Sequence, residues 1–237
     1  MYSFKGLSND KLKIIAVITM TIDHIGAYLF PRITILRIIG RIAFPIFAFM
    51  IAEGCIHTRN KKRYLINMAI LAAVCQLLFY RFDTHIFLRI PCTFTLAIII
   101  VYTMQYTFEV LDGDFTTAKK VLVTAAFLSV VYAVYILNRN ITIDYGFYGC
   151  VTPALICIIS TVDKSGTNLI PKLAMLTMAL ILISAQSIYL QYYSLLAVPL
   201  LLTYNGKREN IIPKNFFYIY YPMHLVIIYA VKNFLYR

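Results

Sequence analysis

Apolar runs of about 20 residues recur along the whole chain and limit the folds that it can adopt. A helix of that length spans about 30 Å of hydrocarbon, and inside a bilayer only helices and closed barrels satisfy every backbone polar group. The runs are continuous rather than alternating, which favours helices over barrel strands. Of the 237 residues, 61% are hydrophobic and 14% charged, whereas soluble domains are roughly half apolar and about a quarter charged. We therefore predict an all-α, polytopic transmembrane helical bundle that forms one domain over residues 1–237.

The apolar runs predict about nine spans, with eight or ten as alternatives because the seventh and eighth runs are nearly continuous. The predicted spans are Leu12–Pro31, Ile38–His57, Tyr64–Tyr80, Pro91–Leu111, Ala118–Leu137, Tyr145–Val162, Leu169–Ala185, Ser187–Thr203 and Phe216–Tyr236. The first span is of full length and no small-residue cleavage site follows a short apolar core. It is therefore interpreted as an uncleaved helix and not as a removable signal peptide.

Lysines and arginines are more numerous on one side of the predicted membrane. With alternating spans, fourteen of the 22 fall on the side of the N-terminus, including Lys172 and the cluster "HTRNKKRY" over residues 57–64. The positive-inside rule then predicts a multi-pass protein of the bacterial cytoplasmic membrane with a cytoplasmic N-terminus. This topology and attraction to anionic lipid headgroups explain the net charge of +12, and a nucleotide-bearing cofactor is the alternative explanation. The charges are scattered among short loops, which argues against a nucleic-acid partner.

Asp23 and His24 lie side by side in the first span, within "TMTIDHIGAYLF". Adjacent residues of a helix point in different directions, so each of these side chains needs its own partner. In the second span, "LRIIGRIAFPIFAFMIAEG" places Arg37 and Arg41 on one face, and Arg41 is reachable from Asp23 if the two spans are antiparallel neighbours. The burial of these groups is explained either by structural pairing or by chemistry, and the residues alone leave both explanations open.

Further polar residues lie in or beside other spans. Glu53 is about 18 Å along the helix axis from Arg41, too far to pair with it, and Pro45 is expected to kink the helix between them. His224 follows Pro222 in the last span, within "FFYIYYPMHLVII". Two membrane histidines together with a buried Asp, Arg and Glu indicate a reaction centre or a proton path. No group of His, Cys and carboxylate residues has metal-ligand spacing, so no metal is expected.

Five segments together resemble the TraX family, which is associated with N-terminal acetylation of pilin in conjugation systems. They are "LKIIAVITMTIDHIGAYLFP", "LRIIGRIAFPIFAFMIAEG", "IDYGFYG", "LLTYNGKRE" and "FFYIYYPMHL", in this order from the first span to the last. The chain is also similar to the broader class of membrane acyltransferases at His24 and at the "FPIF" segment, Phe44–Phe47. The resemblance implies an integral membrane acyltransferase that uses acetyl-CoA as acyl donor. It leaves the acceptor open between a pilin-like protein and a surface glycan.

The expected site follows from the resemblance and from the chemistry of a thioester donor, which needs a base and a group that polarises the carbonyl oxygen. His24 is the expected base or transient acyl carrier, Asp23 orients it indirectly or pairs with an arginine, and His224 is a second acid–base group. Arg41 is expected to stabilise the oxyanion or to hold a cofactor phosphate. The expected cofactor-binding residues are Arg37, Glu53, Arg63, Asn205, Lys207 and Arg208, and the expected substrate-binding residues are Asp144 and Tyr145.

Two other functions fit the same residues. Buried Asp, His, Arg and Glu side chains are also typical of a proton-coupled transporter of small solutes, although no inverted repeat is evident in the sequence. The third hypothesis is a non-catalytic assembly factor of a conjugation or secretion system, in which the polar groups only lock helices together.

Overall fold

The computed structural model describes residues 6–80, 87–162, 169–187, 189–213 and 215–235, with the side chain of Phe79 excepted. The described part of the chain is all-α apart from one short strand pair. Its helices are α1 (Asn9–Tyr28), α2 (Thr34–Gly40), α3 (Ala43–His57), α4 (Lys61–Tyr80), α5 (Ile90–Asp112), α6 (Thr117–Asn140), α7 (Gly146–Val162), α8 (Leu169–Ala185), the 3₁₀ helix Tyr189–Leu196, α9 (Ala197–Leu201) and α10 (Phe216–Leu235). The predicted end of the last span, Tyr236, lies outside the described residues.

Most predicted spans coincide with a helix to within a few residues, because the apolar runs and the helices share the same polar boundaries. α1 begins after Ser8, whose side chain accepts a hydrogen bond from the backbone N–H of Lys11. α6 begins in the same way after Thr116, which caps the N–H of Lys119. In the described part of the chain, three helical segments are long and apolar enough to cross a membrane: Thr34–His57, Ile90–Asp112 and Thr117–Asn140. These segments fit an integral membrane protein.

The second predicted span, Ile38–His57, is interrupted rather than gently kinked. α2 ends at Gly40, a turn occupies Arg41 and Ile42, and α3 begins at Ala43. The cause is Pro45, which lacks an N–H and whose ring clashes with the carbonyl of the residue four positions earlier, here Arg41. The break therefore falls upstream of the proline and beside the arginine side chain.

The eighth predicted span, Ser187–Thr203, is not one continuous α-helix. The structure has a 3₁₀ helix over Tyr189–Leu196 and only a short α-helix over Ala197–Leu201. Two polar side chains, Gln191 and Ser194, are buried in this segment. A 3₁₀ helix has three residues per turn, so it places these two residues on the same face, which an α-helix does less closely.

The chain divides into two compact units, with boundaries inside α3 and α8. The first unit contains Met1–Met50 and Leu180–Arg237. In it α1 packs against α2 and α10, and α2 packs against the 3₁₀ helix. The residues before α1 are hydrogen-bonded to the chain near Thr203. The N–H of Leu7 donates to the carbonyl of Thr203 at 2.8 Å, and the carbonyl of Leu7 accepts from the N–H of Asn205 at 3.0 Å.

The second unit, Ile51–Ala179, is organised around α5, which packs against α4, α6 and α7. The two short strands, β1 (Phe87–Leu88) and β2 (Thr142–Ile143), pair in parallel in this unit. Large apolar side chains of α6 such as Leu122 and Leu128 are exposed. A helix that exposes apolar residues on most of its surface is suited to contact with lipid.

Candidate functional site

Asp23 lies between two arginine side chains in the first unit. Its Oδ2 accepts a hydrogen bond from Nη1 of Arg37 at 2.8 Å, and its Oδ1 accepts one from Nη2 of Arg41 at 2.9 Å. Nη1 of Arg37 also donates to the backbone carbonyl of Asp23 at 3.1 Å. The predicted pairing of Asp23 with an arginine is therefore confirmed, and α2 contributes a second arginine. One carboxylate against two guanidinium groups leaves the cluster with a formal charge of +1.

The close approach of α1 and α2 allows this cluster to form. A Cβ atom at Gly40 would collide with the side chain of Asp23, and a Cβ at Gly26 would lie 2.7 Å from Cβ of Leu36. Both glycines are therefore needed where the two helices meet. Arg41 follows Gly40 directly, so the helix break caused by Pro45 falls at the point where the guanidinium turns toward α1.

His24 and His224 form a hydrogen-bonded imidazole pair between α1 and α10. Nδ1 of His24 and Nε2 of His224 are 2.9 Å apart, and the ring centroids are 5.0 Å apart. His224 is buried, whereas His24 is half-buried. The sequence predicted a role for both histidines, and the structure brings them into direct contact although 200 positions separate them.

The hydrogen bonds of His224 determine the tautomers of the pair. Nδ1 of His224 lies 3.0 Å from the carbonyl oxygen of Tyr220, which can only accept, so this nitrogen carries a proton. Since a neutral imidazole has one donor and one acceptor nitrogen, Nε2 of neutral His224 accepts a hydrogen bond from Nδ1 of His24. The lone pair of neutral His24 is therefore on its Nε2. These assignments follow from the hydrogen-bond network.

Tyr220 and Thr21 hold His224 in place, and sequence analysis did not identify either of them. The Tyr220 ring stacks on the His224 ring with centroids 5.2 Å apart and an angle of 10° between the planes. Thr21 Oγ1 donates to the carbonyl of Val17 at 2.8 Å, so the Tyr220 hydroxyl, also at 2.8 Å, donates to Thr21. The spacing of these residues from the histidines could have indicated both contacts. Tyr220 precedes His224 by one helical turn, and Thr21 precedes His24 by nearly one turn.

A basic surface lies at the other end of α1, where the loop 203–211 packs against its N-terminus. Lys11 Nζ binds Oε1 of Glu209 at 3.1 Å, and the carbonyl of Lys207 accepts from the N–H of Asn9 at 2.8 Å. The side chain of Asn205 accepts from the N–H of Lys207 at 2.9 Å and closes the turn. Lys207 and Arg208 are exposed. Asn205, Lys207 and Arg208 are thus near one another, whereas Arg37 lies at the opposite end of α1 beside Asp23.

The predicted cofactor residue Glu53 lies in the second unit and makes a buried ion pair. Its Oε1 is 2.8 Å from Nζ of Lys172, and both residues are at least 94% buried. The exposed ring of His57 lies 3.4 Å from Oε2 of Glu53. The sequence analysis counted Lys172 among the charges of a loop, which was wrong, because the residue lies within α8 and its charge is compensated by Glu53 rather than by solvent.

The remaining predicted residues also lie in the second unit. Arg63 is exposed near the start of α4, and its N–H binds Oδ1 of Asn60 at 2.8 Å. Asp144 follows β2, and its carbonyl accepts a hydrogen bond from Oγ1 of Thr93 at 2.9 Å. Tyr145 has a positive φ of 61°, which is uncommon for a residue other than glycine and marks a sharp turn into α7. Within the described residues, no group of three or more His, Cys, Asp or Glu could hold a metal ion.

Comparisons with known proteins identify the family. The family model described as "TraX protein" matches residues 8–232. Over 252 aligned positions, covering 95% of this chain and 96% of the relative, the chain is 26% identical to a probable fimbrial assembly protein, FimC of serogroup H1, from Dichelobacter nodosus. An uncharacterised protein of Rickettsia prowazekii (strain Madrid E) is 49% identical over 75 residues, which cover 32% of this chain and 30% of that relative. No solved structure matches the chain. The resemblance noted in the sequence is confirmed by the match over nearly the whole chain: the protein belongs to the TraX family.

Proposed function

We propose that this protein is a membrane-embedded acetyltransferase that moves an acetyl group from cytoplasmic acetyl-CoA to an amine or hydroxyl. The observation that carries the proposal is the hydrogen-bonded pair of His24 and His224 between two apolar helices. Imidazole is the side chain most often used as a general base near neutral pH. A TraX protein is expected to carry out this reaction because the family is associated with pilin acetylation.

In the proposed reaction, Nε2 of His24 takes the proton of the acceptor N–H or O–H. The acceptor nitrogen or oxygen forms a bond to the acetyl carbonyl carbon, the carbon–sulfur bond breaks, and the departing thiolate takes the proton from the His24 imidazolium. His224 stabilises that imidazolium as the second acid–base group, since its Nε2 accepts a hydrogen bond from Nδ1 of His24. Arg41 supplies positive charge for the developing oxyanion. An acyl-histidine formed on His24 is the alternative route.

Asp23 acts indirectly in this proposal. It points toward Arg37 and Arg41, not toward the imidazole pair, so it does not form a triad with His24. Its role is to hold α1 against α2 and to fix the two guanidinium groups. Such positioning matters for catalysis because small displacements of a catalytic group cost large factors in rate.

The basic end of α1 is the proposed entry for the donor. Lys13 and His24 are eleven residues apart, which corresponds to about 16 Å along the helix axis. An extended thioester donor, with phosphates at one end and the acyl group at the other, fits that separation. Lys207 and Arg208 would attract the phosphates, with Asn205 shaping the turn. Arg63, which is exposed in the second unit, is proposed by itself as a residue that attracts the donor. We further propose that the chain crosses the bacterial cytoplasmic membrane about nine times and that its N-terminus is cytoplasmic.

The acceptor is proposed to be a pilin-like protein or a surface glycan. The pilin-like alternative is supported by the name of the relative from Dichelobacter nodosus, which is described as a probable fimbrial assembly protein. Asp144 and Tyr145, at the sharp turn between β2 and α7, are proposed to contact the acceptor.

Mass spectrometry of host surface proteins and glycans tests this function. Cells that carry the gene should contain a surface molecule heavier by one acetyl unit than the same molecule from a deletion strain. A strain expressing His24→Ala at the same level is the matched control, and it should resemble the deletion strain. Identical masses in all three strains would contradict the proposal.

A proton-coupled transporter of small solutes is the second candidate, favoured by the buried pair of Glu53 and Lys172. Ionisable groups inside apolar helices are typical of ion and proton pathways. Counterflow of a solute into liposomes without acetyl-CoA would support this function. Loss of folding in the Asp23→Ala/His24→Ala double variant, with no intrinsic activity in the wild type, would instead favour a non-catalytic assembly factor.

A further inference from the structure

The hydrogen bond between Gln191 and Arg41 fixes which end of the Gln191 amide is left for another partner. Oε1 of Gln191 accepts from Nη1 of Arg41 at 3.2 Å. Because a guanidinium group only donates, the flipped amide would place two donors against each other, and this orientation is excluded. Nε2 is therefore the end that remains. It is buried and has no hydrogen-bond partner among the described residues.

Ser194 supplies a second buried donor on the same face of the 3₁₀ helix. It lies one turn of this helix beyond Gln191, is completely buried, and its Oγ likewise has no partner in the described part of the chain. Hydroxyl groups on helices commonly bond to a carbonyl of the preceding turn, as Thr19 and Thr21 of α1 do at 2.9 and 2.8 Å. Ser194 departs from this pattern, so its hydroxyl is also left for a partner.

Two unsatisfied polar atoms on one buried face call for an explanation, because native proteins pair nearly all such atoms. The secondary structure supports a specific purpose, since 3₁₀ helices longer than 3–4 residues are uncommon and this one has eight. An amide N–H and a hydroxyl can both donate to one oxygen atom. That oxygen belongs either to an ordered water or to a ligand.

The position of these two donors favours a ligand oxygen. Asp23 directly precedes His24, the proposed base, and its Oδ1 accepts a hydrogen bond from Nη2 of Arg41 at 2.9 Å. Arg41 is proposed to supply positive charge to the developing oxyanion, and Gln191 is bonded to Arg41. Oxyanions are stabilised by several donors aimed at one oxygen, and side-chain amides are among the donors that enzymes use. Gln191 therefore presents its donor end beside the group to which the oxyanion is assigned.

We propose that Gln191 is a catalytic residue whose Nε2 donates a hydrogen bond to the carbonyl oxygen of the acetyl group, with Oγ of Ser194 as a further donor. When the acceptor nitrogen or oxygen adds to the acetyl carbon, the π electron pair of the carbonyl moves to this oxygen, and it returns when the carbon–sulfur bond breaks. Both hydrogen bonds strengthen while the oxygen is negative, so they lower the barrier rather than only tighten binding. This assignment rests on the proposed function, because it requires a thioester donor at this face.

Infrared spectroscopy of the bound donor detects these hydrogen bonds without turnover. Purified full-length His24→Ala protein is loaded with acetyl-CoA, and an isotope label at the carbonyl carbon isolates the band of this carbonyl in a difference spectrum. Hydrogen bonds to the oxygen weaken the C=O bond, so the band should lie at lower wavenumber than in free acetyl-CoA. Adding Gln191→Leu should move the band back toward the free position. Adding Gln186→Leu instead, which changes an exposed glutamine of the same unit, should leave the shift intact.

Kinetics of Ser194→Ala separate a catalytic role from a structural one, because this variant leaves the bond between Gln191 and Arg41 in place. The Ser194 hydroxyl has no partner among the described residues, so its removal should leave the unfolding temperature unchanged or raise it. We nevertheless expect kcat to fall about 10-fold or more in Ser194→Ala and about 10²- to 10³-fold in Gln191→Leu. KM for acetyl-CoA should change little in both, and Gln186→Leu should keep the wild-type rate.

The outcomes distinguish failure of this assignment from failure of the proposed function. Wild-type kcat in folded Gln191→Leu and Ser194→Ala proteins would show that the two groups bind only water. A loss confined to Gln191→Leu would make Gln191 a positioning residue for Arg41. Either result, or an unshifted carbonyl band, would overturn the assignment while acetyl transfer by the wild type leaves the proposed function standing. A wild-type protein that does not bind acetyl-CoA would overturn both.

Discussion

The carbonyl of Tyr220 decides which nitrogen of each imidazole carries a proton. It accepts from Nδ1 of His224, and this bond makes Nε2 of neutral His24 the basic atom of the pair. A backbone carbonyl of α10 therefore sets the tautomer of His24 through the imidazole of His224. At the scale of single residues, His224 is expected to affect the proton transfer and not the binding of the donor.

Replacing His224 tests that expectation. His224→Ala removes the group that stabilises the His24 imidazolium, so kcat for acetyl transfer should fall by about 10²- to 10⁴-fold while KM for acetyl-CoA changes little. His57→Ala is the control, since this histidine is exposed in the second unit. A large rise in KM with unchanged kcat would show that His224 binds the donor instead.

The Asp23 cluster makes a prediction about stability. Asp23→Ala leaves Arg37 and Arg41 without their shared carboxylate, and breaking a buried ion pair typically costs about 3–5 kcal/mol. The Arg37 side chain is 30% exposed and the Arg41 side chain 15%, so a smaller loss of about 2–4 kcal/mol in the free energy of unfolding is expected.

Denaturant unfolding in detergent measures this loss, and the two arginines provide an internal comparison. Arg41→Ala should destabilise the protein more than Arg37→Ala does, because Arg41 is less exposed and makes an additional bond to Gln191. Equal and negligible losses in all three variants would mean that the ion pairs are dispensable for folding.

At the scale of helices, the apolar runs predicted most elements, and the failures have physical causes. The contact of Asp23 with Arg41 was predictable because both positions are defined by two consecutive, antiparallel helices. The pairs His24–His224 and Glu53–Lys172 join segments separated by 200 and 119 positions, and nothing local in the sequence indicates which distant helix is the neighbour. The 3₁₀ helix was not predicted, because an apolar run of this length predicts an α-helix regardless of the polar residues within it.

The contact of α1 with α2 leaves no room for a side chain at Gly40. Gly40→Ala places a Cβ against the side chain of Asp23, so the helices must separate or the carboxylate must move. We expect a lower unfolding temperature, with a loss of about 1–3 kcal/mol typical of overpacking. Ile35→Ala, at an exposed position of the same helix, should change stability much less. Unchanged stability in Gly40→Ala would contradict the close contact.

The second unit contains the buried ion pair of Glu53 and Lys172, in which each side chain compensates the charge of the other. Lys172→Met leaves the Glu53 carboxylate without its lysine, and the free energy of unfolding should fall by roughly 3–5 kcal/mol. The double variant Glu53→Gln/Lys172→Met removes both charges and should recover much of that loss. Thermal unfolding of the single and double variants measures the coupling. Additive losses would show that the two side chains do not interact.

At the scale of the whole molecule, the proposed donor-binding residues and the proposed catalytic imidazoles lie at different positions along α1. Basic residues lie at its N-terminus, and the imidazole pair lies about 16 Å further along the axis. Changes in salt should therefore act on donor affinity, because exposed charges are screened, whereas changes at the half-buried His24 should act on the reaction step. The family match covers both ends of this helix, and the proposed acetyl transfer requires both.

Acetyl transfer by the purified protein in lipid vesicles is the most direct test of the central claim. With radiolabelled acetyl-CoA and a membrane extract of the host as acceptor, the wild type should transfer label, and His24→Ala should be slower by about 10²- to 10⁴-fold. His57→Ala, prepared in parallel, should retain the wild-type rate. Wild-type transfer by a correctly folded His24→Ala protein would contradict the claim that this imidazole is the reaction centre.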